Sequence, residues 1–262
     1  MTKIKNAIII HGPGKSGTTL INNILGTHKD LYWISTYLNK FPKIPALSLF
    51  NGLTQNNLIG EKIRRLDKSP KPAEAYNFWS TYLKDFRFND SKFSKTDIQN
   101  TAKVINKIKH FQNRNRFLTK ITGPSRYNFI DELFEEPYIV WLDRDPRAII
   151  SSYFTSNWRY KNSNSPSGKS RKEVIKEYVE YYKWLHIEKE CLKEFNFRLF
   201  NYEHLVNEPK EFFEDLCEFL KLERDNSFFQ SIEDWKLDRS KNEKFRKVFS
   251  KKELMYIEEL LK

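Results

Sequence analysis

The sequence predicts an α/β fold, a central parallel sheet flanked by helices, from three observations. The apolar run Ala7-Ile8-Ile9-Ile10 passes through a glycine-rich turn into Leu20-Ile21-Asn22-Asn23-Ile24-Leu25, which has helical spacing. A second apolar run, Tyr138-Ile139-Val140-Trp141-Leu142, ends in Asp143-Arg144-Asp145-Pro146-Arg147 and leads into another helix start. Strands alternate with helical stretches along the rest of the chain, the pattern of a parallel sheet with crossover helices. No internal repeat appears, and 262 residues suffice for an ample core, so one domain over 1–262 is expected.

Taken in order, Ala7 to Ile10 is a strand of buried type, and Gly12, Gly14 and Gly17 let the backbone behind it curl. Successive N–H groups then converge on one point, at which the following helix aims its positive dipole end. Lys15 adds a mobile cation, and Ser16, Thr18 and Thr19 add hydroxyls. Such a pocket takes a phosphate or a sulfate. Tyr32 to Phe50, aromatic-rich and broken by Pro42 and Pro45, reads as a loop leading to a short helix. Lys71 to Phe86 and Lys95 to Phe111 have helical periodicity, and Arg116 to Ile121 reads as a core strand ended by Thr122-Gly123-Pro124. Pro146 suits a first helical turn, and Asp145 suits its cap. Residues 157–172 interleave Ser, Asn, Pro and Gly and are expected to form a mobile surface loop. Lys172 to Phe195 reads as a long helix with Val174, Tyr178, Tyr181, Leu185 and Leu192 on its apolar side.

Counting distinguishes among anion-binding loops. The nucleotide-triphosphatase loop needs a glycine five residues before its Gly-Lys-Ser/Thr. For Gly14-Lys15-Ser16 that position holds Ile9, so the pattern fails. Arg144 stands at the carboxyl end of a strand, where ligands gather in open α/β sheets. Ser152 follows eight residues later, and an arginine fork with a hydroxyl at that spacing suits a terminal phosphate.

Gly14-Lys15-Ser16-Gly17-Thr18-Thr19-Leu20 resembles the 5'-phosphosulfate loop of the sulfotransferases that use 3'-phosphoadenosine 5'-phosphosulfate (PAPS), and Arg144-Asp145-Pro146-Arg147 with Ser152 resembles their 3'-phosphate motif. The resemblance extends to Tyr202-Glu203-His204-Leu205, which looks like the family's turn after a late strand (Asn196 onward), and to the helix Lys210 to Leu220 behind it. It implies a P-loop-like nucleotide fold and PAPS as sulfuryl donor, released as adenosine 3',5'-bisphosphate (PAP). It also implies an acceptor side formed within about 32–115, and no metal. Tyr202 then stands as a ring contact to adenine or, equally, as a packing aromatic. Arg239 to Lys247 resembles the basic loop that closes over the 3'-phosphate, with Lys241 and Arg246 as candidates. Phe245 replaces the usual tryptophan there and the usual glycine is missing, so a solvated basic face is the alternative.

Lys15 is the choice to stabilise the leaving oxygens, Ser16 to Thr19 to hold the phosphosulfate, and Lys120 to help electrostatically. The general base departs from the family. Cytosolic members carry a histidine where this chain has Thr122, and heparan-type members a glutamate where it has Ser35 to Tyr37. Glu74, among aromatic residues, is the remaining candidate, its alternative being a helix-N-terminal glutamate favoured by the dipole.

The formal charge of +12 favours acidic partners such as the nucleotide, but the basic residues are dispersed, with no nucleic-acid-binding signature. Two cysteines exclude a disulfide framework, the five histidines are scattered, and no apolar run is long enough to cross a membrane. With no anchoring helix, a cytoplasmic enzyme of a prokaryotic or viral-host cytosol is expected. The acceptor expected is a hydroxyl or amine of a sugar, glycolipid or other small metabolite. The alternatives are an ATP-dependent small-molecule kinase of related P-loop fold and a catalytically silent PAPS- or PAP-binding homologue. Oligomeric state is not legible.

Overall fold

The computed structural model describes residues 3–54, 59–66, 68–156, 168–233, 235 and 237–262. In chain order these form β1 (Ile4–Lys5), β2 (Ile8–His11), α1 (Thr18–Leu25), β3 (Leu31–Trp33), α2 (Thr36–Lys40), a 3-10 turn (Pro45–Phe50), α3 (Asn51–Thr54), α4 (Gly60–Arg64), α5 (Tyr76–Tyr82) and α6 (Lys95–Gln112). The order continues with β4 (Arg116–Lys120), α7 (Tyr127–Leu133), β5 (Phe134–Glu135), β6 (Tyr138–Asp143), α8 (Pro146–Thr155), α9 (Arg171–Glu188) and a 3-10 turn (Lys189–Glu194). Then come β7 (Asn196–Asn201), α10 (Tyr202–Asn207), α11 (Pro209–Leu220), α12 (Asn226–Glu233), a 3-10 turn (Arg239–Asn242), α13 (Phe245–Val248) and α14 (Lys251–Leu261).

Five strands form a wholly parallel sheet in the order β3-β4-β2-β6-β7, while β1 and β5 pair separately. After β2 the chain builds one flank of the sheet (β3, β4) and then the other (β6, β7), so the order reverses around β2. Ligands in open α/β sheets bind at the carboxyl ends of strands at such a reversal. Ile8 and Ile10 pack with α1, α11 and α12, whereas Ile9 packs on the opposite face with Trp141 and residues of α5, α6 and α7. Both faces of β2 are thus buried, which is why it reads as an unbroken apolar run. A third core joins α8 and α9 to Phe245, Phe249 and Ile257 near the C-terminus.

Several elements differ from their sequence expectation. The stretch 32–50 contains edge strand β3 and helix α2 as well as its loop, with Gln112 of α6 bonding both Trp33 N (3.2 Å) and Trp33 O (2.8 Å). Only Tyr76–Tyr82 of 71–86 is helical, because Lys71 to Ala73 runs beside Ile34 to Thr36. The helix expected over 172–195 is α9 followed by a 3-10 turn, and Tyr182 is more deeply buried than Tyr181. Ser170 and Glu173 form a reciprocal cap at its start. Of the polar loop at 157–172, residues 157–167 lie outside the described residues. No described helix is long and apolar enough to cross a membrane.

Candidate active site

The loop after β2 is fixed by close backbone approaches. Gly12 sits at φ +142°, and a Cβ there would lie 2.5 Å from the Leu142 carbonyl oxygen. Gly17 sits at φ +103°, and a Cβ there would lie 2.4 Å from Tyr202 Cδ2. Ser16 N donates to Pro13 O at 3.2 Å and closes the turn, leaving Lys15 at φ +70° with an exposed side chain. The Ser16 hydroxyl is buried and has no protein partner among the described residues. Helix α1 starts at Thr18 without a side-chain cap, and Leu20 N and Ile21 N turn back to Gly17 O at 2.9 and 3.3 Å, so the amides ahead of them, at Thr18 and Thr19, are the ones a helix start leaves for a ligand. A buried orphan hydroxyl beside such amides fits a phosphate or sulfate oxygen. Behind the loop, the His11 imidazole is buried against Trp141 at 5.2 Å and accepts the Gly12 N–H at 2.8 Å. Burial, then the charge of Arg126, lowers its pKa to about 3, so it stays a neutral acceptor.

The second motif touches the first. Arg144 Nη1 donates to Lys15 O at 3.0 Å, and its guanidinium lies 4.4 Å from the Tyr202 ring centroid. Asp145 caps α8 by accepting the Arg147 N–H at 2.8 Å. The fork is already partly engaged by protein. Arg144 Nε donates to Asn242 Oδ1 at 2.8 Å and Nη2 to Lys241 O at 2.8 Å, so all three nitrogens bind protein and two N–H groups remain. Ser152 gives its proton to Ala148 O at 2.9 Å and is open to act as an acceptor. Tyr202 is 5% exposed between Gly17 and Arg144, so its ring packs the loop and offers adenine little surface. Lys241 is exposed and contributes its carbonyl, while Arg246 pairs with Glu243 at 2.8 Å on the surface.

On the other side of β2, four segments meet at the end of β4. Lys120 Nζ donates to Thr19 Oγ1 at 2.8 Å and stands 3.3 Å from Glu74 Oε2. Glu74 Oε1 accepts the Thr122 N–H at 2.8 Å and the Thr122 hydroxyl. Glu74 precedes α5 by two residues, and its carboxylate bonds Thr122 in addition to standing near the start of that helix. Tyr76 also contacts Glu74. Its hydroxyl is pushed up to about 12 by burial, with Glu74 adding to the shift and Arg126 opposing it. Arg126 is 5% exposed and donates to Thr122 O (3.0 Å) and Tyr76 Oη (3.3 Å), among other neutral acceptors. This cationic backing was not legible. Tyr76 had only its place beside Glu74 as a signal, and Arg126 and Asn242 had none.

Among the described residues, His204, Glu208 and Glu211 form the one cluster with metal-ligand reach, partly exposed at the α10–α11 junction.

No curated protein is significantly similar to the chain. Among solved structures, a sulfotransferase of Mycobacterium avium superposes with TM-score 0.62 at 14% identity, over 89% of this chain and 68% of that one. The sulfotransferase domain of the Synechococcus PCC 7002 olefin synthase gives TM-score 0.58 at 12% identity, over 100% and 94%. A mouse sulfotransferase complexed with PAP gives 0.51 at 12%, over 97% and 82%. At such identities the likeness is one of fold. The model of the sulfotransferase family matches residues 7–226, across the loop, the Glu74 segment and the Arg144 motif, and the chain therefore belongs to the sulfotransferase family, whose sulfuryl donor is PAPS.

Proposed function

We propose that the chain, as one catalytic domain, moves a sulfuryl group from PAPS to a hydroxyl or amine of a sugar, glycolipid or other small metabolite. The observation that carries this is the Lys120 ammonium, bonded to Thr19 of the loop and paired with Glu74. It joins an anion pocket to a carboxylate within one side chain's reach. PAPS supplies an activated sulfur bound to a good leaving phosphate, with PAP as the product.

The chain's residues do the rest. Ser16 and the first amides of α1 hold the phosphosulfate oxygens. Lys15 neutralises charge on the leaving oxygens. Glu74 accepts the proton of the attacking hydroxyl, and Lys120 and Thr122 hold that carboxylate toward the loop. Arg144 ties the loop to the C-terminal 3-10 turn, and its two remaining N–H groups, with Ser152 nearby on α8, are offered to the 3'-phosphate.

Thermal shift with PAP and with magnesium-ATP, followed by turnover of labelled PAPS against an acceptor panel, tests the assignment. PAP is expected to raise the melting midpoint, magnesium-ATP to leave it unchanged, and the panel to yield a sulfated hydroxyl or amine. Stabilisation by magnesium-ATP alone would favour a kinase, and PAP binding without any turnover a silent binding protein.

A further inference from the structure

Seven of the twelve large apolar side chains that stand exposed among the described residues fall between Phe41 and Leu66. Phe41, Ile44, Leu49 and Leu66 are each at least half exposed, at 50%, 51%, 56% and 60%. The described parts of this run are folded structure. Asn51 Nδ2 anchors it to Trp33 O at 3.0 Å, and Arg64 Nη1 ties α4 to Thr54 O at 2.7 Å. The Tyr37 ring meets Phe50 edge-on at 6.3 Å, and its hydroxyl bonds the Lys68 carbonyl, so the two ends of the run share one surface. Apolar exposure this concentrated marks an interaction site.

Charge identifies the partner. From Leu31 to Gly60 the sequence has no carboxylate and Lys40 and Lys43 are exposed; beyond it, Lys62 and Lys68 are exposed and outnumber, with Arg64 and Arg65, the two carboxylates Glu61 and Asp67. Protein–protein interfaces favour aromatic residues, Met and Arg and are depleted in Lys. Here phenylalanine and aliphatic tips stand among lysines, the composition of surfaces that lie in anionic membrane interfaces. We propose that this face docks on an anionic lipid bilayer, its apolar tips entering the headgroup boundary and its lysines meeting lipid phosphates. The same scaffold holds the Glu74 strand: Ala73 N bonds Ile34 O at 2.9 Å, and Asn39 caps the start of α5. On the sulfuryl-transfer assignment, docking brings membrane-borne acceptors to the carboxylate side of the site.

Vesicle flotation tests this without turnover, so its failure leaves the transferase assignment untouched. The protein is expected to bind mixed phosphatidylcholine–phosphatidylglycerol vesicles, to bind phosphatidylcholine alone far less, and to be weakened by salt. Leu49→Gln with Leu66→Gln should lower partitioning by roughly tenfold per leucine, and Lys40→Gln with Lys43→Gln by about fivefold per lysine. Both double variants should keep PAP binding and the parent melting temperature. Met255→Gln, 69% exposed elsewhere in the parent, should change nothing. Absence of vesicle binding at low salt, or undiminished binding by the leucine variant, overturns the proposal. So does light scattering that shows a dimer dissolved by the leucine variant, since the face would then meet a second copy of the chain. The lysine variant removes no apolar contact and keeps the test decisive if the leucine variant is unstable.

Discussion

The crevice between β2 and β6 and the crevice between β2 and β4 open at the same edge of the sheet, but they are built from different material. The first is made largely of backbone: two positive-φ glycines, the leading amides of α1 at Thr18 and Thr19, and an arginine bonded to two main-chain carbonyls. The second is made of side chains, with Thr19, Glu74, Lys120 and Thr122 converging from three segments. A backbone site fixes where an anion sits and is indifferent to what hangs from it. A side-chain site can change its acceptor by a few substitutions while the donor pocket stays put. On the proposed assignment, donor and acceptor roles are thereby separated across a single strand.

Substitutions on each side should break this division in distinguishable ways. The largest effect is expected for Lys15→Ala, a loss of about a thousandfold or more in kcat with the melting temperature unchanged, because the side chain is exposed. Retention of more than a tenth of the rate would remove it from the mechanism. Glu74→Gln, which keeps an acceptor for Thr122, should lower kcat by about a hundredfold while calorimetric PAP affinity holds. Comparable losses in both would place Glu74 with the donor. Arg144→Ala should weaken PAP by roughly tenfold to a hundredfold and adenosine 5'-phosphosulfate, which lacks the 3'-phosphate, much less. Equal losses would assign Arg144 solely to holding Lys15.

The smallest effect is one of stability against pH. Folded His11 has its pKa lowered to about 3, whereas the unfolded imidazole protonates near its ordinary value of 6.5. The unfolded chain therefore binds the extra proton as pH falls. Stability is complete above about pH 6.5 and declines toward pH 3, by at most about 1.4 kcal/mol per pH unit for this group. Burial shifts His28 in the same direction. His11→Asn should flatten the slope by one group's share in denaturant melts at neutral and acidic pH, and an unchanged slope would exclude His11 as a contributor.

The donor side was legible because its chemistry demands residue types in fixed order: glycines for the curl, then lysine, then hydroxyls before a helix. Strands β2 and β6 were legible as apolar runs buried on both faces, and β4 as a core strand with Phe117 and Leu118 at its centre. Edge strand β3 was not, because its three residues are held by pairing with Arg116–Leu118 and by Gln112, partners some eighty residues away. The Glu74 contacts escaped detection for the same reason. Its bond to Thr122 spans 48 positions and the Lys120–Thr19 bond 101, and no local pattern encodes such meetings. Tyr202 carried two readings, adenine contact and packing aromatic, and the enclosure of its ring by Gly17 and Arg144 agrees with the second.

The hydrogen that Gly12 presents to the Leu142 carbonyl sets the gauge of the donor crevice. Any methyl there would wedge β2 and β6 apart at their ends. With the strands already in contact, the width of the phosphosulfate cradle is settled when the sheet forms, before nucleotide arrives. Arrival then finds a finished mould, and the free energy of binding need not be spent on drawing two arms together.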